Sequence, residues 1–266
     1  MSFFEAEYLT AGYGSKTVIS NLSFSLDQGR LMGVLGANGS GKTTLMKAVC
    51  SILPHKGRCL LEGQALESLS PRRLSNLCSY IPQRSGISID ISVLDVVLMG
   101  FNPKLSLLEH PTAAMRLQAE EVLKTVGLSG MEDANYLHLS EGQKQLCILA
   151  RTLAADSRLL LLDEPESALD FRFRYKMLSA IKKRLESGRS SALIALHDPM
   201  LALNFCDELL LLDGGKRIGI IRPGEDRLDH MEQMLSMLYG AITLTVCADR
   251  TGRKQLVMIK EEEESF

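Results

Sequence analysis

The stretch Gly36-Ala37-Asn38-Gly39-Ser40-Gly41-Lys42-Thr43 lies between an apolar segment, Arg30 to Leu35, and a predicted helix that begins at about Lys42. It matches the pattern G-x-x-x-x-G-K-[ST] at every fixed position. Glycines let the main chain turn so that successive N–H groups point at phosphate oxygens, and a helix start adds a favourable dipole. The segment therefore predicts a strand–loop–helix unit that binds the phosphates of a nucleotide.

Side chains in and after this loop suit a nucleotide bound with Mg²⁺. Lys42 brings a positive charge to the β- and γ-phosphates, and the Thr43 hydroxyl is the kind of hard oxygen ligand that Mg²⁺ prefers. Taken alone, the loop indicates only an NTPase or a kinase. The predicted nucleotide-binding residues of this segment are Gly36, Asn38, Gly39, Ser40, Gly41, Lys42, Thr43 and Thr44.

A second candidate site follows the apolar run Leu159 to Leu162, which ends in Asp163 and Glu164. A buried strand that delivers Asp163 beside the phosphate-binding loop would hold Mg²⁺ directly or through water. Glu164 points in another direction and could orient the attacking water as a general base. The alternative is an ordinary strand end capped by two solvated acids.

The distribution of apolar residues predicts an α/β core with an inserted helical block. The unbroken apolar runs Leu159 to Leu162, Ala192 to Leu196 and Leu209 to Leu212 are typical of strands buried on both faces of a sheet. Helical stretches such as Phe171 to Leu185 lie between them, which favours a parallel sheet. Helical patterns from about Val93 to Ala155 interrupt this core.

Composition excludes some classes of function and of partner. Lys and Arg total 30 against 32 Asp and Glu, and the net charge of −2 does not favour nucleic acid. The six cysteines show no metal-ligand spacing, so we expect buried thiols in a reducing compartment. No signal peptide is visible, and no apolar run approaches the roughly 18 residues needed to span a bilayer. A role at a membrane would therefore require a separate partner.

The segment Leu139-Ser140-Glu141-Gly142-Gln143 resembles the L-S-G-G-Q signature of ATP-binding-cassette (ABC) ATPases. Ser140 to Gln143 also fits a helix capping box, and both interpretations can hold. If this resemblance is set aside, Tyr13 could be an aromatic residue in a turn, and His197 could be a histidine buried in the core. The other elements of the resemblance stand in the family's order: Tyr13 as the adenine-stacking aromatic, Gln83 as the Q-loop glutamine, Ser167 to Asp170 as the D-loop, and His197 as the switch histidine.

The resemblance implies a shared active site. Two copies would face each other head to tail, each ATP lying between the phosphate-binding loop of one copy and the signature of the other. Asp170 would lie at the dimer interface. The catalytic residues implied are Glu164, His197, Gln83 and Lys42; the Mg²⁺ ligands are Thr43, Gln83 and Asp163; and the signature residues that act on the partner's nucleotide are Ser140, Glu141, Gly142 and Gln143.

The same resemblance implies a fold and its division. We expect an α/β P-loop NTPase (RecA-like) core with an N-terminal antiparallel β subdomain and an inserted α-helical subdomain. The expected bounds are 1–224 for the ATPase domain, with core and β subdomain at 1–88 and 156–224 and the helical subdomain at about 89–155. Residues 225–266 are expected to form an extension of a helix, a β-ribbon and an acidic tail.

Several positions depart from the family pattern. Glu141 replaces a glycine of the signature, and a carboxylate beside a γ-phosphate would repel it, so we expect its side chain to point away from the nucleotide. Glu166 stands where many relatives have threonine and adds an acid near the site. Lys144 and the pair Leu146-Cys147 depart from the usual arginine-rich continuation of the signature. The ATPase assignment stands, but the turnover rate does not follow from the sequence.

Because no membrane span is fused to this chain, the chain resembles the separate ATPase subunits of importers. Met99 to Pro103, Ala195 to Pro199 and the C-terminal extension are similar to importers of iron–siderophores, haem and vitamin B12. This implies a peripheral position on the cytoplasmic face of the membrane, a permease docked around Ser85 to Phe101, and indirectly a substrate-binding protein. An exporter ATPase and a soluble Fe–S-assembly ATPase remain alternatives. A DNA-repair cassette would need a coiled coil between Lys42 and Ser140, where heptads are lacking.

Overall fold

The computed structural model describes residues 2–83, 86–106 and 108–261. Its strands are β1 (Phe4–Tyr13), β2 (Lys16–Leu26), β3 (Leu31–Leu35), β4 (His55–Leu61), β5 (Gln64–Ala65), β6 (Cys78–Ile81), β7 (Leu159–Asp163), β8 (Ser191–Ala195), β9 (Glu208–Asp213), β10 (Lys216–Ile221), β11 (Ile242–Ala248) and β12 (Lys254–Lys260). Its α-helices are α1 (Lys42–Val49), α2 (Pro71–Leu77), α3 (Val93–Leu98), α4 (Ala113–Val126), α5 (Glu141–Ala154), α6 (Phe171–Leu185), α7 (Pro199–Phe205) and α8 (Leu228–Tyr239). Within these ranges, no helix is long and apolar enough to cross a membrane.

A six-stranded sheet in the order β10-β9-β3-β8-β7-β6 forms the core. All of its strands run parallel except β10, which is antiparallel to β9. Every residue of β3, β7 and β8 is buried, as unbroken apolar runs covered on both faces predict. Because parallel strands end at the same edge, the loops after β3, β7, β8 and β6 meet there, which is where ligands bind in open α/β sheets.

A second, antiparallel sheet in the order β2-β1-β4-β5 covers one face of the core together with α1. The apolar layer between them includes Leu9 and Ile19 of this sheet, Leu45 of α1 and Leu161 of β7. The predicted N-terminal antiparallel β subdomain beside a parallel α/β core is therefore confirmed.

The helices α3, α4 and α5 lie between β6 and β7 in the chain and pack on the opposite face of the sheet. On α4, the residues Ala119, Leu123 and Val126 are buried on one face, as their helical spacing predicts. The predicted helical insertion is thus present, although the division of the chain at residues 89 and 155 stays a prediction.

The C-terminal segment is attached to the core rather than separate from it. Met231 and Leu235 of α8 are buried in the main apolar cluster. On β12, the Leu256 main chain exchanges two hydrogen bonds with the Asn204 side chain of α7, at 2.8 Å and 2.9 Å. The helix and the ribbon are both present, whereas the acidic tail beyond Glu261 lies outside the described residues.

Five of the six cysteines are buried, as expected of small apolar side chains. Burial raises the pKa of the Cys78 and Cys147 thiols to about 12, which keeps them protonated. Cys247 is the exception and the expectation of burial is wrong for it, because it lies near the end of β11 where the ribbon leaves the core.

Candidate functional site

The phosphate-binding loop connects β3 to α1 and needs glycine at several positions. Gly39 and Gly41 have positive φ angles of 83° and 104°, a region that favours glycine. A Cβ atom on Gly41 would also lie 2.7 Å from Ile19 Cγ2, and one on Gly36 would overlap the Leu212 carbonyl oxygen. The buried Ser40 hydroxyl has no hydrogen-bond partner among the described residues. This cradle, open at the start of α1, fits a phosphate group.

Lys42 lies across the loop with its ammonium group buried. Nζ donates to the main-chain oxygen of Gly36 at 2.8 Å and lies 3.8 Å from Glu164 Oε1. The charge of Lys42 therefore stands between the loop and the carboxylate that follows β7.

Asp163 ends β7 beside the loop and is 1% exposed. Its two oxygens accept hydrogen bonds from Thr43 Oγ1 and Tyr80 Oη, each at 3.1 Å. Burial raises the pKa of this carboxyl group, while the two hydrogen bonds partly offset that effect. Thr43 and Asp163 together present hard oxygen donors, and this donor set fits Mg²⁺.

Tyr80 is a site residue that sequence reasoning missed. It lies on β6, next to β7 in the sheet, and three residues before Gln83. The only signal in the sequence was its place at the end of a strand before a candidate glutamine. The order of the strands brings its hydroxyl to Asp163.

Tyr80→Phe is expected to raise the Mg²⁺ concentration needed for half-maximal ATPase activity by about tenfold, because groups that orient a metal ligand typically contribute 10–100-fold to affinity. Titration of activity with Mg²⁺ at saturating ATP measures this. Tyr8→Phe, at an exposed tyrosine, is the control. An unchanged Mg²⁺ requirement in Tyr80→Phe would remove this role.

Glu164 brings three predicted residues together. Its Oε2 accepts a hydrogen bond from Gln83 Nε2 at 2.7 Å and lies 2.6 Å from His197 Nε2, while Lys42 approaches Oε1. The Glu164 main chain has a φ of 52°, an uncommon value for a non-glycine residue. Such conformations concentrate at functional sites, since surrounding contacts must maintain them.

The amide nitrogen of Gln83, the group in contact with Glu164, is a donor and cannot ligate a cation. The amide oxygen could do so, and the role of Gln83 as a Mg²⁺ ligand stays a prediction.

Tyr13 lies at the end of β1 with its ring about half exposed. Lys47 Nζ of α1 is 6.0 Å from the ring centroid, which places the tyrosine beside the helix that follows the phosphate-binding loop. An exposed aromatic face here is compatible with stacking on a base, and that role stays a prediction.

The signature forms the start of α5 on the exterior. Ser140 caps the helix: its Oγ accepts from Gln143 N–H, and Gln143 Oε1 accepts from Ser140 N–H. The side chain of Glu141 is 78% exposed, and its Oε1 accepts from Lys144 Nζ at 2.8 Å. The two departures Glu141 and Lys144 thus pair with each other on the surface.

The D-loop packs against the signature within the chain. A Cβ atom on Gly142 would lie 3.3 Å from the Ala168 main-chain oxygen, so the two segments share one surface. Asp170 caps α6 by accepting from Phe173 N–H at 2.9 Å. Its predicted place at a dimer interface stays a prediction.

Comparison with known proteins identifies relatives over most of the chain. Residues 19–167, more than half of the chain, match the family model described as ABC transporter. The hemin import ATP-binding protein HmuV of Bordetella pertussis is 34% identical over 241 residues, which cover 86% of this chain and 90% of that protein. A probable iron chelatin transport ATP-binding protein of Helicobacter pylori is 35% identical over 214 residues, 80% of this chain and 84% of that protein.

One relative is longer, and one solved structure shares the fold. The chain spans 59% of the length of the uncharacterized ABC transporter ATP-binding protein YvrA of Bacillus subtilis, at 29% identity. A solved chain described as a metal-chelate type ABC transporter in an inward-facing conformation superposes with a TM-score of 0.80 at 23% identity. The superposition covers 98% of this chain and 99% of the solved chain, and indicates the same fold.

Proposed function

This chain belongs to the ABC transporter family, and on that premise we propose that it is the ATP-hydrolysing subunit of an importer that moves a metal chelate through a separate membrane permease. Members of this family bind and hydrolyse ATP. The observation that carries the proposed chemistry is the convergence of Gln83, His197 and Lys42 on Glu164, next to the Thr43–Asp163 pair.

Each group at this edge has a definable task. The loop N–H groups and Lys42 bind the phosphates, and Thr43 with Asp163 would hold Mg²⁺, which when bound neutralises the charge that develops on the transferred phosphoryl group. Glu164 accepts the proton of the attacking water. Gln83 and His197 orient Glu164, since both contact its Oε2: Gln83 from the loop after β6 and His197 from the loop after β8.

A second copy of the chain is the proposed partner that completes the site. The signature is bonded within its own first turn and faces outward, so Ser140 Oγ and the start of α5 are accessible to another molecule. A helix start attracts anions, and this one would contact the γ-phosphate held by the partner. In the proposed head-to-tail dimer, Gly142 and the D-loop that packs against it would both face the partner.

The cargo class is proposed from the relatives. One is named for hemin import and the other for iron chelatin transport, so we place the cargo among iron chelates and haem. Cobalamin stays a further candidate from the sequence resemblance alone. The chain would lie on the cytoplasmic face of the membrane, bound to permease subunits that receive cargo from a binding protein. Of the proposed docking segment, Ser85 lies outside the described residues, and Ile89 presents an exposed apolar side chain.

Co-expression with a candidate metal-chelate permease and its binding protein, followed by reconstitution in vesicles, tests the proposal. ATP-dependent uptake of a ferric siderophore, haem or cobalamin is expected, with the Glu164→Gln chain as the inactive control. ATP-driven efflux would indicate an exporter. ATPase activity with no copurifying permease, together with binding to Fe–S assembly proteins, would indicate the soluble alternative.

A further inference from the structure

Glu166 is an acid inside the protein, next to the candidate site. It lies in the loop after β7, two residues beyond Glu164, and is 2% exposed. Burial of a carboxyl group costs free energy unless hydrogen bonds compensate, so a buried acid here requires an explanation.

One oxygen of Glu166 has a specific partner. Oε1 accepts a hydrogen bond from the main-chain N–H of His197 at 2.9 Å. His197 follows β8, separated from it only by Leu196, whereas Glu166 lies in the loop after β7. The carboxyl group therefore joins the loop that carries Glu164 to the loop that carries His197.

The other oxygen, Oε2, is buried and has no hydrogen-bond partner among the described residues. Burial is the main reason that the pKa of Glu166 is raised; the His197 N–H bond and the nearby imidazole oppose this, and Glu164 adds to it. The buried thiol of Cys206 lies nearby, and Glu166 adds to the rise that burial causes in the pKa of that thiol. The burial of Glu166 therefore costs free energy, because only one of its two carboxylate oxygens has a hydrogen-bond partner among the described residues.

The position of the His197 imidazole depends on the His197 main chain that Glu166 contacts. Its Nε2 lies 2.6 Å from Glu164 Oε2, and the same oxygen accepts from Gln83. A displacement of about 1 Å at a catalytic group can lower turnover about 100-fold. The bond from Glu166 is well placed to prevent such a displacement.

We propose that Glu166 is a positioning residue for ATP hydrolysis: by accepting the His197 N–H, it fixes the main chain from which the imidazole reaches Glu164. This inference rests on the proposed ATPase function and extends it to a residue that is buried behind the candidate site and acts through the His197 main chain. The acceptor oxygen, rather than the negative charge, is the feature that matters.

Two substitutions separate the acceptor from the charge. Glu166→Gln keeps an oxygen acceptor in a side chain of the same shape, while Glu166→Met keeps the length and removes the acceptor. Glu166→Met is expected to lower kcat at least about tenfold with KM for ATP changed less than about threefold. Glu166→Gln is expected to restore kcat to within about threefold of the unmodified protein.

Glu208→Met is the matched control. Glu208 is also a buried acid whose pKa burial raises, and it pairs with Arg222 at 3.4 Å. It lies at the start of β9, at the sheet edge opposite the candidate site. Its substitution is expected to lower the melting temperature and to leave kcat and KM unchanged.

Amide hydrogen exchange at His197 tests the contact without relying on ATP hydrolysis. Exchange at this N–H is expected to be about tenfold or more faster in Glu166→Met than in the unmodified protein or Glu166→Gln. Equal exchange in all three would overturn the inference, as would unchanged kcat in Glu166→Met or equal losses of kcat in both variants. Unmodified protein that does not hydrolyse ATP would contradict the proposed function, and the exchange result would still decide whether Glu166 holds the His197 main chain.

Discussion

Glu164→Gln is expected to lower ATP turnover by about 10²–10⁴-fold, the usual contribution of a general base, while ATP binding persists. An amide cannot accept the proton of the attacking water. Its one remaining oxygen can still accept the Gln83 hydrogen bond, whereas the ion pair that Lys42 makes with Oε1 is lost. Because ATP would stay bound, the variant is expected to accumulate as an ATP-bound dimer.

Phosphate release and size-exclusion chromatography with ATP and Mg²⁺ measure these two effects. The unmodified chain should be mainly monomeric under the same conditions if turnover separates the copies. Glu186→Gln, at an exposed acid at the end of α6, is the control. A Glu164→Gln chain that hydrolyses ATP normally and stays monomeric would exclude Glu164 as the base.

Lys42→Met is expected to weaken ATP binding by about 10–100-fold, since a hydrogen bond to a charged group contributes about 1.5–3 kcal/mol. Met preserves the length of the side chain and removes the ammonium group that lies between Gly36 and Glu164. The loss should appear for ATP and more weakly for AMP, which lacks the β- and γ-phosphates.

Isothermal titration with ATP, ADP and AMP measures the affinities. Lys182→Met is the matched control, because it also removes an ammonium group close to a carboxylate, that of Asp207 at 2.9 Å. Asp207 directly precedes β9, at the sheet edge opposite the phosphate-binding loop. If Lys42→Met and Lys182→Met bound ATP equally well, Lys42 would have no part in phosphate binding.

Local signals made the phosphate-binding loop and most of the fold predictable. The loop requires positive φ angles and close approaches that only glycine allows, so its glycines stand at set intervals in the sequence. The helix predicted at Phe171 to Leu185 has those same bounds as α6, because apolar spacing and the Asp170 cap both act within one segment. The capping box at Ser140 is local in the same way.

Contacts between loops were not predictable from the residues alone. Tyr80 reaches Asp163 because β6 lies next to β7 in the sheet, and Glu166 reaches the His197 N–H because β7 lies next to β8. Neither pairing has a spacing rule, since the partners are separated in the chain by elements of variable length. The Glu141–Lys144 pair is local and could have been predicted from its spacing of three residues.

The amino-acid sequence by itself therefore determined the nucleotide chemistry: a loop that only glycines can form, a lysine, and two acids at the end of an apolar strand. Those features depend on main-chain conformation and burial within short segments. Only the tertiary structure decided which groups orient the acids, because the order of parallel strands sets which loops meet at the sheet edge. That order placed Tyr80 on Asp163, and it buried Glu166 beneath His197 with one oxygen bonded and the other without a partner among the described residues.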